Sequence, residues 1–247
     1  MKNKFPVFLS STSTNTILRE TADLVPEGTK VYLFAGSIRN AVYFTVFGEE
    51  MTQRDFDCIV MGDGESFAKN LISKGFIFGS KNSSTKKILK KERFRNPIHR
   101  YDDWVYLDCK IFNNGESIDN ILRNISDFTI SGFALNIKDI FSLDWLNKII
   151  AVPGAMEDLK NRKIRVVNPY SISIHKIIRL MSRDFQKPEK SDILSCIEKF
   201  KEITEDKFVY NTEKTIRYVG SKKKVLIIAN ELGITFDIFD HKKVTSL

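Results

Sequence analysis

One strand–helix–strand unit near the start of the chain constrains the fold most. The stretch TKVYLFAGS, residues 29–37, predicts a buried strand that runs into a turn of small residues. The following IRNAVYFTVFG predicts a helix that ends at Gly48. RDFDCIVMG, residues 54–62, then predicts a second strand that stops at Gly62. A chain with this order of elements brings the turn and the second strand close together.

A third strand is predicted by WVYLDCKIF, residues 104–112. Because side chains alternate along a strand, Asp108 and Lys110 lie on one face and Cys109 on the other. Residues 80–103 are polar and strongly basic, which predicts a mobile loop with room for a ragged strand pair. From residue 119 onwards the pattern is mostly helical.

Two acids at alternate positions mark the second strand. Asp55 and Asp57 leave the same face of a strand, with Cα atoms about 7 Å apart. Mg²⁺ takes oxygen ligands and is commonly shared between carboxylates and substrate phosphates. Asp108, on the third strand, is the natural further member of such a cradle. An isolated pair of this spacing is also typical of a solvated strand face, so the pair alone does not establish a site.

The preceding turn favours a phosphate site. Gly36 and Ser37 stand between a strand and a helix, where backbone N–H groups at the helix start can meet phosphate oxygens. Glycine permits close approach, and Ser37 is predicted to cap the helix and donate its hydroxyl. Arg39, in the first helical turn, can reach the same phosphates. The turn, the arginine and the acid pair together predict a metal-dependent triphosphate site.

Composition indicates which classes of partner and which compartment to expect for this protein. The net charge of +8 favours polyanionic partners, although solubility alone also explains it. The three cysteines are widely spaced, without a CxxC pair, so neither a disulfide framework nor a zinc site is indicated. The N-terminal apolar run is too short for a signal peptide, and no stretch has the length of a membrane span. We therefore expect a cytoplasmic protein without a membrane partner.

These motifs resemble the catalytic head of the DNA polymerase beta superfamily. FAGSIRN and RDFDCIV resemble the turn and the Asp-x-Asp strand of the class that holds bacterial CCA-adding tRNA nucleotidyltransferases and poly(A) polymerases. Further matches follow in the family order, at residues 125–137, 153–169 and 175–183. The resemblance covers about residues 28–185.

The resemblance implies an α+β fold, with a small mixed sheet flanked by helices in a head domain, residues 1–168, and a helical neck-like region, residues 169–247. It implies an enzyme that uses Mg²⁺ or Mn²⁺ to add nucleotides from ATP and/or CTP to an RNA 3′ end, with tRNA favoured. The implied roles form two sets. The catalytic and metal-binding residues are Asp55, Asp57 and Asp108, and the nucleotide-binding residues are Gly36, Ser37, Arg39, Asp127, Thr129, Lys176 and Arg179.

The chain departs from the family pattern at the turn and at the ribose segment. Asn40 replaces the acid that follows the turn arginine. Ile125 and Ser126 stand where the family has two arginines, and Arg123 is a candidate substitute. We expect the transfer chemistry to survive these changes, because the three carboxylates remain.

The nucleotide-reading helix also differs. His175 and Lys176 replace a Glu-Asp pair, which leaves Arg179 as the retained member. Donors therefore stand where the family has acceptors, so C-then-A selection need not persist. About 60 residues follow residue 183, fewer than the family uses to hold tRNA. Two alternatives stay open: a toxin-like or mobile-element enzyme with another acceptor, and a degenerate module that binds RNA or nucleotides.

Overall fold

The chain forms two compact units. The computed structural model describes residues 12–49, 55–79, 89–95, 106–112, 115–168, 173–200, 203–235 and 245–246. The first unit contains residues 1–122 and 131–152, and the second contains residues 123–130 and 153–247. This division lies before the boundary that the sequence predicts at residue 168, because residues 153–168 group with the helices that follow them.

The elements below are numbered in chain order. The helices are α1 (Thr12–Asp23), α2 (Gly36–Phe47), α3 (Gly64–Ser73), α4 (Ile118–Ile125), α5 (Ala155–Lys160), α6 (Ile174–Met181), α7 (Lys190–Phe200), α8 (Glu205–Val219) and α9 (Lys222–Glu231). The strands are β1 (Lys30–Phe34), β2 (Asp55–Met61), β3 (Ile77–Gly79), β4 (Leu89–Arg95), β5 (Tyr106–Phe112), β6 (Phe133–Asn136), β7 (Ile150–Ala151), β8 (Ile234–Thr235) and β9 (Thr245–Ser246). Short 3-10 helices span Thr129–Ser131 and Trp145–Lys148.

A mixed sheet of seven strands forms the centre of the first unit, in the order β3-β4-β5-β2-β1-β6-β7. Strands β2 and β5 are parallel, and the other neighbouring pairs are antiparallel. A parallel pair needs a crossover, and here the chain between the two strands includes α3, β3 and β4. The predicted mixed sheet flanked by helices is thus confirmed, and the parallel pair is the one that carries the predicted acids.

Helix α2 is held against the sheet by its apolar side chains. Ile38, Ala41 and Val42 are buried, and α2 contacts β1, β2 and β6. The helix ends at Gly48, whose φ of 72° is left-handed and whose N–H donates to the carbonyl of Phe44 at 2.7 Å. Glycine adopts this conformation at little steric cost, so the predicted end of α2 is confirmed.

The predicted strands are found where the structure describes them. β2 ends directly before Gly62, and β5 begins at Tyr106, with residues 104–105 outside the described residues. Within the basic segment 80–103, β4 is described and the remainder lies outside the described residues. Strand β6 was not predicted, because the segment around it was interpreted as mostly helical.

The second unit contains an isolated β-bridge and a group of helices. Phe128 forms an antiparallel bridge with Val166, and Thr129 N–H donates to the Arg165 carbonyl at 2.9 Å. This pairing attaches residues 123–130 to the segment that follows α5. Helix α6 contacts α7, α8 and α9. In the part of the chain that the structure describes, no helix has the length and apolar character needed to cross a bilayer.

Candidate active site

Three carboxylates of the first unit lie on one face of the parallel pair β2 and β5. Asp57 pairs in register with Asp108, and Asp55 precedes Asp57 by two residues on β2. In-register residues of parallel strands point to the same side, with strands about 4.8 Å apart. All three residues are half-buried. We call this surface of β2 and β5, defined by Asp55, Asp57 and Asp108, the acid face.

The opposite side of the same strands supports this assignment. Cys58 pairs in register with Cys109, and their side chains are 0% and 1% exposed. The hydrogen bond with Cys109, together with burial and the charges of Asp57 and Asp108, raises the pKa of Cys58 well above its ordinary value. The two thiols therefore meet, and strand alternation turns the preceding aspartates to the other side together.

The donor chemistry of the acid face fits a hard divalent cation. Mg²⁺ binds carboxylate oxygens and is usually held by one or two carboxylates together with substrate phosphates. Within the described residues, no group of three or more His, Cys, Asp or Glu side chains is arranged to hold a metal ion. The fit is therefore to a cation held by part of the acid face and shared with a phosphate substrate.

A bend between β1 and α2 lies at the edge of the acid face. Phe34, the last residue of β1, pairs with Asp57 across the sheet. Ala35 follows with φ 56° and ψ −121°, and its N–H donates to the carbonyl of Phe133 at 3.0 Å. A non-glycine residue in this region is strained, and such strain clusters at functional sites. Helix α2 begins directly after it, so its first turn starts beside Asp57.

The serine of the bend does not cap α2. Ala35 occupies the N-cap position without a side-chain cap, so the predicted capping by Ser37 is wrong. Ser37 is instead the second residue of the helix, fully buried, and its hydroxyl donates to the carbonyl of Phe34 at 3.0 Å. This bond ties the start of the helix to the end of β1. Ser37 thus helps to shape the bend through a contact within the chain.

The turn arginine is held by its neighbour. Arg39 donates from Nε and from a terminal guanidinium nitrogen to Oδ1 of Asn40, at 3.2 and 3.0 Å. Asn40 is 4% exposed, whereas Arg39 is half-buried. The asparagine at this position therefore still accepts from the guanidinium, but without an opposing charge. Arg39 lies in the first turn of α2, where a guanidinium adds to the attraction of the helix start for an anion.

A charged cluster lies in the second unit on helix α6. The Lys176 ammonium donates to Oδ2 of Asp127, whose side chain is 7% exposed against 46% for Lys176. Burial lowers the pKa of Arg179, and the nearby Tyr218 and Asp127 oppose this effect. The structure thus brings together three of the four predicted nucleotide-binding residues of this unit.

The fourth residue, Thr129, has a partner inside the unit. Its hydroxyl donates to Oδ2 of Asp158 at 2.7 Å, and Arg165 donates to the other oxygen at 2.9 Å. Asp158 is 1% exposed, so these two donors replace the water hydrogen bonds that its carboxylate oxygens lose on burial. Thr129 therefore secures the segment that carries Asp127. Its nucleotide-binding role stays a prediction.

His175 and Lys176 take different directions although both replace acids of the family pattern. His175 is buried, and its Nε2 lies 2.8 Å from Oγ1 of Thr212 on α8. Its ring centroid is 5.7 Å from that of Phe208. Burial, with a contribution from the charge of Arg179, lowers the pKa of His175 to about 3. His175 is thus a neutral residue of the helical core.

Three cation–aromatic contacts involve Phe34 and Tyr218, aromatic residues without a predicted role. The Lys110 ammonium lies 4.8 Å from the centroid of the Phe34 ring. In the second unit, the guanidinium carbons of Arg179 and Arg183 lie 5.8 and 4.4 Å from the centroid of Tyr218. The strand pattern did place Lys110 on the face of Asp108, whereas no local pattern points to Tyr218.

The architecture is of the α+β class that forms the nucleotidyltransferase head of CCA-adding enzymes. The chain is similar to a Thermotoga maritima CCA-adding enzyme in complex with tRNA, with 19% identity and a TM-score of 0.63 over 92% of this chain and 52% of that one. It is also similar to a CCA-adding enzyme in complex with CTP, with 17% identity and a TM-score of 0.61 over 91% of this chain and 52% of that one. A Bacillus stearothermophilus CCA-adding enzyme in complex with CTP gives 14% identity and a TM-score of 0.54, over 90% and 52%.

The chain thus spans about half the length of these enzymes. At these identities the likeness establishes the fold. No protein-family model matches the sequence, and a comparison with curated proteins finds no match.

Proposed function

We propose that this protein is a nucleotidyltransferase, dependent on Mg²⁺ or Mn²⁺, that adds nucleotides from ATP and/or CTP to an RNA 3′ end, with tRNA as the favoured acceptor. The observation that carries the proposal is the pairing of Asp57 with Asp108 next to the strained bend at Ala35. The similarity to CCA-adding enzymes supports it, because their solved complexes contain CTP and tRNA.

The acid face supplies the charge for the reaction. One or two of the three carboxylates Asp55, Asp57 and Asp108 would hold the divalent cation, together with phosphate oxygens of the nucleotide. When bound, it supplies Lewis-acid stabilisation of phosphate charge and lowers the pKa of the attacking 3′ hydroxyl. The half-buried carboxylates limit water around the reacting phosphate, which strengthens each electrostatic interaction. The α-phosphate would receive the hydroxyl oxygen, and pyrophosphate would leave.

The bend supplies the phosphate contacts. The N–H groups in the first turn of α2 would donate to phosphate oxygens, and Arg39 would neutralise part of their charge. Gly36 keeps the start of the helix free of a side chain, and Ser37 holds it against β1. Positioning and charge neutralisation are most of what phosphoryl-type transfer requires from a protein.

The second unit would contribute to nucleotide selection. Lys176 and Arg179 offer hydrogen-bond donors, and Asp127 offers acceptors. The similarity of their segments to the CCA-adding pattern supports this assignment. Because a lysine stands where the family has an acid, we expect the preference among the four NTPs to differ from strict C-then-A addition.

The test is transfer of labelled NMP to RNA. The purified protein is incubated with Mg²⁺, each NTP in turn, and a tRNA that lacks its 3′ end, with generic RNA and protein as further acceptors. We expect extension of RNA that is lost on chelation of the metal. Asp57→Asn and Asp108→Asn should each reduce the rate by at least about 100-fold, because each removes a charge that stabilises the transition state.

Asp23→Asn is the matched control, since Asp23 is an exposed residue at the end of α1. It should extend RNA at the wild-type rate. Full activity of Asp57→Asn would contradict the proposal. Labelling of protein or of another acceptor would assign the fold to a different transfer reaction. NTP binding without any transfer would identify a degenerate binding module.

A further inference from the structure

Lys110 is a cation on the acid face. It follows Asp108 by two residues on β5, so both side chains lie on the same side of the sheet. It pairs in register with Ile59 of β2, which is fully buried. The lysine is half-buried. Its side chain is therefore partly removed from water.

The direction of the side chain is shown by an aromatic contact. The Lys110 ammonium lies 4.8 Å from the centroid of the Phe34 ring, within the range of a cation–π contact. Phe34 is the register partner of Asp57, and Ala35 of the bend follows it. The lysine of β5 therefore reaches across β2 to a side chain of β1, the strand that leads into the bend. Phe34 is 3% exposed, so its buried ring gives that ammonium a defined position.

This contact links the strands that carry the two halves of the proposed site, which are the aspartates of β2 and β5 and the start of α2 after β1. Asp57 and Asp108 attract the cation that a nucleotide brings, but they repel the phosphates themselves. A fixed ammonium next to them offsets this repulsion and can donate to phosphate oxygens. Arg39 supplies positive charge on α2, and Lys110 supplies it on the sheet.

We propose that Lys110 binds the triphosphate of the incoming nucleotide on the acid face. The inference rests on the proposed function for the identity of the ligand. It makes a separate claim about binding, because a triphosphate held by Lys110 is recognised by its phosphates whether or not transfer follows. A lysine that only balances the aspartates would stabilise the fold without distinguishing triphosphates from monophosphates.

The experiment measures binding without chemistry. Isothermal titration calorimetry with Mg²⁺ and α,β-methylene ATP, which cannot transfer its NMP, is compared with AMP. Variants are Lys110→Met, Lys110→Gln and Lys110→Arg, with Lys69→Met on an exposed part of α3 as the control. Melting temperatures are recorded for every variant, with and without Mg²⁺.

We expect Lys110→Met and Lys110→Gln to bind the triphosphate analogue about 10-fold or more weakly, because a charge-assisted contact is lost. Their AMP affinity should change by less than about 2-fold. Lys110→Arg should recover most of the triphosphate affinity, and Lys69→Met should match the wild type. The comparison with Lys110→Gln stands if Lys110→Met does not fold.

Two results from the variants overturn the inference. One is unchanged triphosphate affinity in a folded Lys110→Gln, and the other is an equal loss for the triphosphate and AMP. In either case RNA extension by the wild type would still support the proposed function. Selective loss of triphosphate binding in a protein that extends no acceptor would support Lys110 and reject the proposed transfer. A wild type that binds neither nucleotide overturns both.

Discussion

Acid should destabilise the helical unit through one buried histidine. His175 lies in the first turn of α6 with its ring inside the core, and burial lowers its pKa from 6.5 to about 3. Between these two pKa values the unfolded chain therefore binds a proton at His175, whereas the folded protein does not. Above about pH 6.5 neither state is protonated and His175 adds no pH dependence. As the pH falls from 6.5 towards 3, the free energy of unfolding decreases.

The size of the effect follows from the two pKa values. One pKa unit corresponds to about 1.4 kcal/mol, and pH 5 lies about 1.5 units below the unfolded value. His175 should therefore cost about 2 kcal/mol of stability between pH 7 and pH 5. That loss is a large fraction of the free energy of unfolding of a typical domain, which is about 5–15 kcal/mol.

Urea unfolding at pH 7, 6 and 5 measures this loss of stability. Unfolding is monitored by far-UV circular dichroism, because α6–α9 are helical. The comparison variant is His175→Gln, which stays neutral and can still hydrogen-bond Thr212. The variant should be less stable at pH 7, since it loses the packing on Phe208. Its stability should fall by about 2 kcal/mol less than that of the wild type on going to pH 5. Equal losses in the two proteins would refute a buried, neutral His175.

Two further predictions concern packing and a buried hydrogen bond. Gly132→Ala should lower the free energy of unfolding by about 1–3 kcal/mol, because an added Cβ would lie 2.4 Å from Cγ2 of Val152. Urea titration should show that adding Val152→Ala restores part of the loss. Additive effects of the two substitutions in the double variant would contradict the contact. Thr129→Val should cost about 1–3 kcal/mol in the same assay, since Oδ2 of the buried Asp158 loses its 2.7 Å donor. Thr129→Ser, which keeps the hydroxyl, should retain most of the stability, and a loss in Thr129→Ser as large as that in Thr129→Val would contradict the hydrogen bond as the source of the effect.

Local patterns predicted the elements around the acid face. Alternating side chains identify a strand from a few residues. The sequence alone therefore predicted β2 and β5, and the face of its own strand on which each of Asp57 and Asp108 lies. Gly48 identified the end of α2, since its left-handed conformation is readily adopted by glycine. The start of the same helix was mispredicted at Ser37, because the strained Ala35 occupies a position where small polar residues are usual.

Contacts between distant segments could not be predicted in the same way. His175 and Lys176 are adjacent in sequence, yet His175 packs against α8 and Lys176 pairs with Asp127. Strand β6 was missed because its burial comes from its place beside β1, and its four residues are too few to show a period. The contact of Lys110 with Phe34 crosses an intervening strand, so no spacing in the sequence records it.

The sequence by itself determined which residues can do chemistry and on which side of its own strand each one lies, because alternation is a property of the local backbone. Only the tertiary structure decided that β2 and β5 pair in parallel with Asp57 opposite Asp108, and that Lys110 reaches the ring beside them. Register depends on hydrogen bonds and packing between segments about 50 residues apart in sequence, and these interactions exist only once the sheet has formed.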